Sequence, residues 1–301
     1  MRVAALLPAA TDIVIALGAG DRLVAATHAC TLPPQLAGVP RVTRSRIGTA
    51  SAAAVDAQVS ALSEAGAALF DLDEAALAAT RPDIILTQAV CDVCAVREAD
   101  ARAAASRMQP QPRLTTLGAS TVDGIFGDIS AVGSALEIDD TDELVLGLRS
   151  RMARVHRTLK AAQAPRPRVL VLEWTDPPFS AGHWVPDMVR RAGGVETLGT
   201  SGEVSQRVTV SNARETGPDI VIVAPCGYTL EEAVEEARSL RAHDGWQWLH
   251  SKPVWAVNAT SLTSRPGPAV VRGIEVLAHL MHPALFGPPQ RGDALPLTSE
   301  R

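Results

Sequence analysis

Aromatic residues are scarce in this chain of 301 residues: five Trp, four Phe and one Tyr make up 3% of it. A core with so few rings must be mainly aliphatic, and rings gathered outside it need a reason. Cysteine is scarcer still, with four residues, too few for the disulfide framework that stabilises small secreted domains. Charge of one sign is never concentrated: the net charge of -5 is spread along the chain, and no block of Lys or Arg is present to track phosphates or anionic lipid. Nucleic acid and membrane surfaces are therefore excluded as expected partners. No apolar run approaches the roughly 18 residues of a membrane-spanning helix, so no insertion is expected. Catalytic signatures are missing too: there is no G-x-S-x-G, no Walker loop and no H-E-x-x-H. "GAGD" (18–21) follows a helical pattern and precedes a strand, the reverse of a dinucleotide fingerprint, and reads as a turn. No acid–base pair stands at an interpretable spacing, and an enzyme is not expected.

What is present is a folded, soluble α/β pattern. Hydrophobic residues make up 47% of the chain, enough to bury a large core and to build two lobes of ordinary domain size. Short apolar runs alternate with helical stretches, the sign of parallel sheets wrapped by helices. In the first half the predicted strands are 2–7, 22–27, 68–70, 83–87 and 113–117, with helices near 11–18, 51–66 and 121–136. The N-terminus superficially resembles a signal peptide, but Pro8 and Asp12 interrupt its apolar run and no lysine-rich segment precedes it. It reads as the first strand and helix. The thiols are then expected to stay reduced.

After Asp139, Leu144, Leu148, Met152, Val155 and Leu159 recur at helical spacing and define one apolar face of a long amphipathic helix. Asp139, Asp140 and Thr141 offer capping oxygens at its start, and "APRPR" (164–168) stops it. Strands at 168–174, 219–225 and 254–259 and helices at 186–192, 230–241 and 268–281 follow. The expected organisation is an N-terminal α/β lobe over 1–138, an interlobe helix over 139–163, a C-terminal α/β lobe over 164–286 and a disordered Pro- and Gly-rich tail over 287–301. The helix has no second apolar stripe for a partner, so a monomer is expected.

Open parallel sheets bind ligands beyond the carboxyl ends of their strands. The loops in those places supply the candidate contacts Thr11, His28, Gln88, Glu173, Trp174, Phe179, His183, Trp184, Cys226, Ser264 and Arg265. All four cysteines fall there. Cys91 and Cys94, with His28 and Cys30, make a soft set suited to tetrahedral zinc. Small buried packing residues are an equally open reading, and a disulfide is a third. Trp174, Phe179 and Trp184 concentrate a scarce residue type in one Pro- and Gly-rich loop, either as a flat apolar ligand surface or as that loop's own anchor. Glu173 is either paired within its strand or a polar contact to a ligand amide. Ser264 and Arg265, before the last helix, either hold an anionic or amide-bearing group or face solvent.

Taken together, "LLPAATDIVIALGAGDRLVAATHAC", "RPDIILTQ", "AGG" (192–194) and "PDIVIVAPCG" resemble the class III periplasmic binding protein family over residues 1 to about 285. "HAC", "CDVCAV", "EWTDPPFSAGHWVP" and "SRPGP" are similar to its cobalamin-binding branch, often found without a signal peptide. The resemblance implies two mostly parallel α/β lobes joined by one long helix. It also implies a cobalamin, haem or iron-chelate ligand gripped between the lobes, little hinge motion, and an ABC transporter permease as partner. Trp174, Phe179 and Trp184 would pack on a corrinoid, with His28 or a cysteine approaching its metal. The alternative is a cytoplasmic zinc-thiolate protein, perhaps an enzyme, using His28, Cys30, Cys91 and Cys94. Without an export signal the expected location is the cytoplasm, or the periplasm or cell exterior if the start site is misassigned.

Overall fold

The computed structural model describes residues 1–48, 51–90 and 95–297, in two compact units. The first comprises Met1–Ala119 and Asp123–Leu146, the second Ser120–Val122 and the chain from Gly147 onward.

The first unit opens with β1 (Val3–Ala5), α1 (Pro8–Ala16) and β2 (Leu23–Ala25). It continues through β3 (Thr43–Ser45), α2 (Ala52–Glu64), β4 (Phe70–Leu72), α3 (Glu74–Ala79), β5 (Ile84–Gln88), α4 (Glu98–Ser106), β6 (Arg113–Leu117) and α5 (Val122–Ala135). Four strands form a parallel sheet in the order β2-β1-β5-β6. Pro8 opens α1 where a missing N–H costs nothing, and Gly18, at φ 73°, lets the chain turn away after its end. Ser51 and Asp73 cap α2 and α3 by accepting the N–H groups of Ala54 and Ala76. On one face of the sheet Ala4, Leu6, Ala25 and Ile85 pack against Ala101, Ala104 and Ala105, so α4 meets the strands through small side chains.

One predicted strand joins a different sheet. The run 68–70 was expected among the parallel strands, but β4 pairs antiparallel with β3 in a separate two-stranded ribbon, Thr43 opposite Leu72 and Ser45 opposite Phe70. A three-residue run carries no information about its partner.

The long helix is α6 (Thr141–Ala161), 21 residues or about 31 Å, which begins in the first unit and is counted with the second from Gly147. Its predicted face is realised, with Leu148 and Val155 buried and Leu144, Met152 and Leu159 half-buried.

The second unit contains β7 (Arg168–Thr175), β8 (Pro178–Ser180), α7 (Val185–Arg191), β9 (Val195–Glu196), α8 (Val210–Glu215), β10 (Ile220–Val223), α9 (Leu230–Ala242), β11 (Val254–Val257), α10 (Ala259–Leu262), α11 (Ala269–Met281) and β12 (Ala294–Pro296). Its sheet runs β12-β11-β10-β7-β8, with β9 also on β7; β11, β10, β7 and β9 are parallel, β8 and β12 antiparallel. Alternation sends Leu170, Leu172, Val221, Val223, Val254 and Ala256 to one face, where Leu230, Ala233, Ala237 and Leu240 of α9 cover them. A capping box starts α9: Thr229 accepts from the Glu232 N–H while the Glu232 carboxylate takes the Thr229 N–H.

Among its described residues, the tail expected to be disordered contains a short strand. Residues 294–296 pair with β11, Asp293 is buried beside Arg272, and the Asn258 N–H donates to the Asp293 carbonyl at 2.9 Å. A Pro- and Gly-rich composition does not register that an open sheet edge gains by being covered.

Candidate functional site

The loops beyond β7, β10 and β11 form one polar and aromatic cluster within the second unit. β7 and β8 are joined by Asp176 and Pro177, and their register sets Trp174 opposite Phe179 and Thr175 opposite Pro178. Directly opposed residues of an antiparallel pair share a face, so the hairpin places both rings on one side. Tyr228, from the loop after β10, meets Trp174 edge-on with centroids 5.2 Å apart, and the Arg207 guanidinium lies 5.5 Å from the centre of the Phe179 ring. Backbone bonds tie the loops together: the Cys226 N–H donates to the Glu173 carbonyl at 3.0 Å, and the Gly227 N–H donates to Ser264 Oγ at 2.9 Å. Thr260 closes the set, its hydroxyl donating to the Gly227 carbonyl at 2.6 Å and its N–H to the Tyr228 carbonyl at 3.0 Å.

Glu173 sits at the end of β7. The Ser205 hydroxyl donates to its carboxyl, as does the Gly182 N–H. Burial pushes this carboxyl up to about 8, helped by the neighbouring Cys226 and Glu196 and opposed by the two donors. Glu196, on β9, is raised by burial to about 7; it holds the following turn by accepting the N–H groups of Leu198 at 3.1 Å and Gly199 at 3.0 Å. Cys226 is exposed, while Ser264 and Arg265 are half-buried. His183 takes a left-handed backbone at φ 51°, its ring stays below its ordinary pKa because of burial, and its Nε2 is shielded from water with no hydrogen-bond partner among the described residues.

Trp184 does not share the open face of Trp174 and Phe179. It is 9% exposed, and its indole N–H donates to the Thr263 carbonyl at 2.7 Å. The hairpin's two-residue alternation ends before this ring, which occupies the N-cap position of α7 and packs into the unit. Trp184 therefore anchors the loop before Ser264, which favours the anchoring reading over the ligand-surface one for this ring. Trp184→Ala is expected to cost about 3 to 5 kcal/mol of stability. Trp174→Ala, at a half-buried position, is expected to cost less than about 1 kcal/mol. Urea unfolding of the two variants, followed by far-ultraviolet circular dichroism, measures the contrast.

In the first unit His28 is exposed, but it is held from behind. Thr43 Oγ1 lies 2.8 Å from Nδ1 and accepts the His28 N–H at 3.0 Å, and the Phe70 ring is 5.6 Å away. Partial burial and the charge of Arg41 keep this imidazole below its ordinary pKa. Cys30 turns inward instead, 6% exposed, with its sulfur 3.1 Å from Thr11 Oγ1 and 3.2 Å from Thr27 Oγ1. This favours the packing reading for Cys30, and it makes Thr11, fully buried, a partner of that sulfur. Gln88 is also buried, accepting the Val90 N–H at 3.3 Å. Cys91 and Cys94 lie outside the described residues. Among the described residues no three His, Cys, Asp or Glu side chains gather to hold a metal ion, and no helix is long and apolar enough to cross a membrane.

Several members of these clusters carried no recognisable signal. Thr43 and Phe70 reach His28 from the unpredicted ribbon, and Ser205 and Arg207 come from an irregular segment. Tyr228 did have one: it is the sole tyrosine and stands just after a strand.

No curated protein matches the chain by sequence. Solved structures do share its fold. A periplasmic haem binding protein from Pseudomonas aeruginosa superimposes with a TM-score of 0.72 at 19% identity, over 100% of this chain and 98% of that one. An ABC transporter substrate-binding protein from Listeria monocytogenes EGD-e gives 0.69 at 16% identity, covering 94% and 98%. The periplasmic vitamin B12 binding protein of Vibrio cholerae gives 0.64 at 20% identity, covering 94% and 97%. The family model described as periplasmic binding protein matches residues 3–251, and with that match across most of its length the chain belongs to the class III periplasmic binding protein family.

Proposed function

We propose that this chain binds a corrinoid, or a closely related metal chelate, and serves as the substrate-binding component for the permease of an ABC transporter. Its family consists of binding proteins rather than enzymes. The observation that carries the ligand class is the hairpin pair of Trp174 and Phe179 with Tyr228 edge-on: three of only ten aromatic residues stand together on strand-end loops beside a protected carboxyl. Rings held by a sheet offer a large apolar surface at little entropic cost, which suits a flat macrocycle. Glu173, His183, Cys226, Ser264 and Arg265 supply polar contacts around it. Vitamin B12 and haem are what the similar proteins of Vibrio cholerae and Pseudomonas aeruginosa bind, which supports a chelate without choosing between the two.

In the first unit His28 is the residue fitted to meet a metal. An imidazole kept neutral, with Nδ1 engaged by a hydroxyl, leaves Nε2 as the ligating atom, the arrangement typical of metal-bound histidine. Titration of the purified protein with aquocobalamin and with haemin, followed by visible absorbance and tryptophan fluorescence, tests the reading. Saturable binding of cobalamin is expected, with a shift of its visible bands that His28→Ala abolishes and Trp174→Ala preserves at an affinity roughly 5- to 100-fold weaker. Tight binding of haemin alone would transfer the proposal to porphyrins. Binding of neither would refute it.

A further inference from the structure

A hollow of about 670 Å³ opens in the second unit at the end of its sheet opposite the chelate loops, lined by Arg214, Gly245, Gln247, Trp248, His250 and Ser251. Arg214 belongs to α8, which precedes β10, and the other five stand between α9 and β11, so the hollow lies by the amino ends of those strands. Its volume falls within the roughly 300 to 1,000 Å³ of small-molecule sites. Trp248 supplies an aromatic floor. It is half-buried and stacks on the core ring of Trp246, with centroids 5.7 Å apart and planes 28° from parallel, which fixes its orientation. Its indole N–H is shielded from water and has no acceptor among the described residues, so what the ring can offer a ligand is its carbon surface.

The polar groups around this floor that remain to be satisfied are donors. Gln247 is engaged at both ends, its Oε1 taking the Gly245 N–H at 2.9 Å and its Nε2 donating to Asp244 at 3.2 Å. The Ser251 hydroxyl donates to the Trp248 carbonyl at 2.8 Å. His250 Nδ1 lies 3.1 Å from Arg241 Nη2; a guanidinium can only donate, so Nδ1 is the acceptor and the neutral ring carries its hydrogen on Nε2. The Arg214 side chain is exposed and meets no carboxylate among the described residues, and no Asp or Glu among them lines the hollow.

We propose that this hollow binds a planar aromatic carboxylate, with the ring on Trp248 and the carboxylate on Arg214 and the Nε2–H of His250. Such a molecule fits both halves of the site: stacking holds its ring, and charge-assisted hydrogen bonds take its carboxylate. An aliphatic anion would leave Trp248 uncovered, and a neutral aromatic would leave Arg214 without a counter-charge. The site does not depend on the chelate reading, because none of its residues belongs to the chelate contacts.

The test titrates indoleacetate into isotope-labelled protein and follows the Trp248 indole N–H by nuclear magnetic resonance, the signal being identified by its absence from Trp248→Phe. Saturable movement with half-saturation at about 1 mM or below is expected, the range for a ligand of this size. Arg214→Gln is expected to weaken binding about tenfold, and Arg214→Lys by less, since lysine keeps the charge without the planar fork. Neutral indoleacetamide is expected to bind about tenfold more weakly than the acid in the parent and equally in Arg214→Gln. No movement of the signal up to about 10 mM would overturn the proposal. Equal affinity for the acid and the amide in the parent would overturn it as well. Acetate moving the signal as far as indoleacetate would mark an adventitious ion only and would refute the aromatic ligand. Movement of the Trp174 signal in place of that of Trp248 would put the probe at the chelate loops and refute the second site.

Discussion

Replacing Gly199 with alanine is expected to destabilise the second unit by about 3 kcal/mol or more, the upper range for overpacking. A Cβ at this position would lie 2.2 Å from the Ala181 carbonyl oxygen, 3.0 Å from its carbon and 3.1 Å from Pro186 Cγ. The obstacle is backbone, so no rotamer change relieves it. Nor is either side free to move: the Gly199 N–H is bonded to Glu196, and the Ala181 N–H donates to the Val171 carbonyl of β7 at 3.1 Å. Gly182 makes the matching close approach, its would-be Cβ falling 2.3 Å from the Ser205 nitrogen and 2.6 Å from Ser205 Oγ. The segment around Ala181 and Gly182 thus lies directly against the Gly199 to Ser205 segment, and Ser205 reaches Glu173 only because two glycines permit the approach. Gly127 makes the opposite case. It is exposed in α5 with nothing within 4 Å of its would-be Cβ, so Gly127→Ala is expected to be neutral or to stabilise the first unit by up to about 1 kcal/mol. Chemical denaturation of both variants gives the comparison. A Gly199→Ala protein with unchanged stability would show that the two segments can separate at no cost.

This close packing was invisible in the sequence, and the reason is general to the chain. The strands β5, β7, β10 and β11 were legible because parallel strands buried on both faces read as continuous apolar runs, and α6 was legible because its face repeats at helical spacing. The loops that hold the candidate ligand contacts were legible as places, since they follow those strands. What occupies them was less so. His28 was identified, but Thr43 and Phe70, which hold its ring, belong to a two-stranded ribbon whose halves are separated by α2. Trp174, Phe179 and Trp184 looked like one group because they are near in sequence. The hairpin register keeps the first two together, while the cap of α7 turns the third inward. Residue type and local spacing thus located the site's strand ends, whereas the partners of each side chain were decided by register and loop path, which a single sequence does not encode in any short window.

The same two buried carboxyls that shape the site are expected to make the second unit lose stability as the medium becomes alkaline. Glu173 and Glu196 are raised in the folded protein to about 8 and about 7, against 4.5 for the unfolded chain. Between those limits the folded state holds protons that the unfolded state has released, so the free energy of unfolding falls with rising pH. The contribution is complete below about 4.5 and is lost as pH rises through 7 and then 8. At about 1.4 kcal/mol per unit of displacement, the upper limit is on the order of 3 to 5 kcal/mol for each group. The two do not simply add, because the displacement of Glu173 includes repulsion from Glu196. His183 and His282 act in the opposite sense. Burial lowers both, so the unfolded chain takes up more protons below about 6.5 and the unit loses stability toward acid. Above about pH 6.5, where both histidines are neutral in either state, stability is therefore expected to fall by a few kcal/mol toward pH 9. All five tryptophans lie in this unit, so their fluorescence during urea unfolding reports on it alone. Glu173→Gln and Glu196→Gln, each in a Cys226→Ser background, are expected to flatten the alkaline limb and to leave the acid limb intact. A stability that rises from pH 6.5 to pH 9, or an alkaline limb unchanged in both variants, would mean that the two carboxyls are ionised in the folded protein throughout that range.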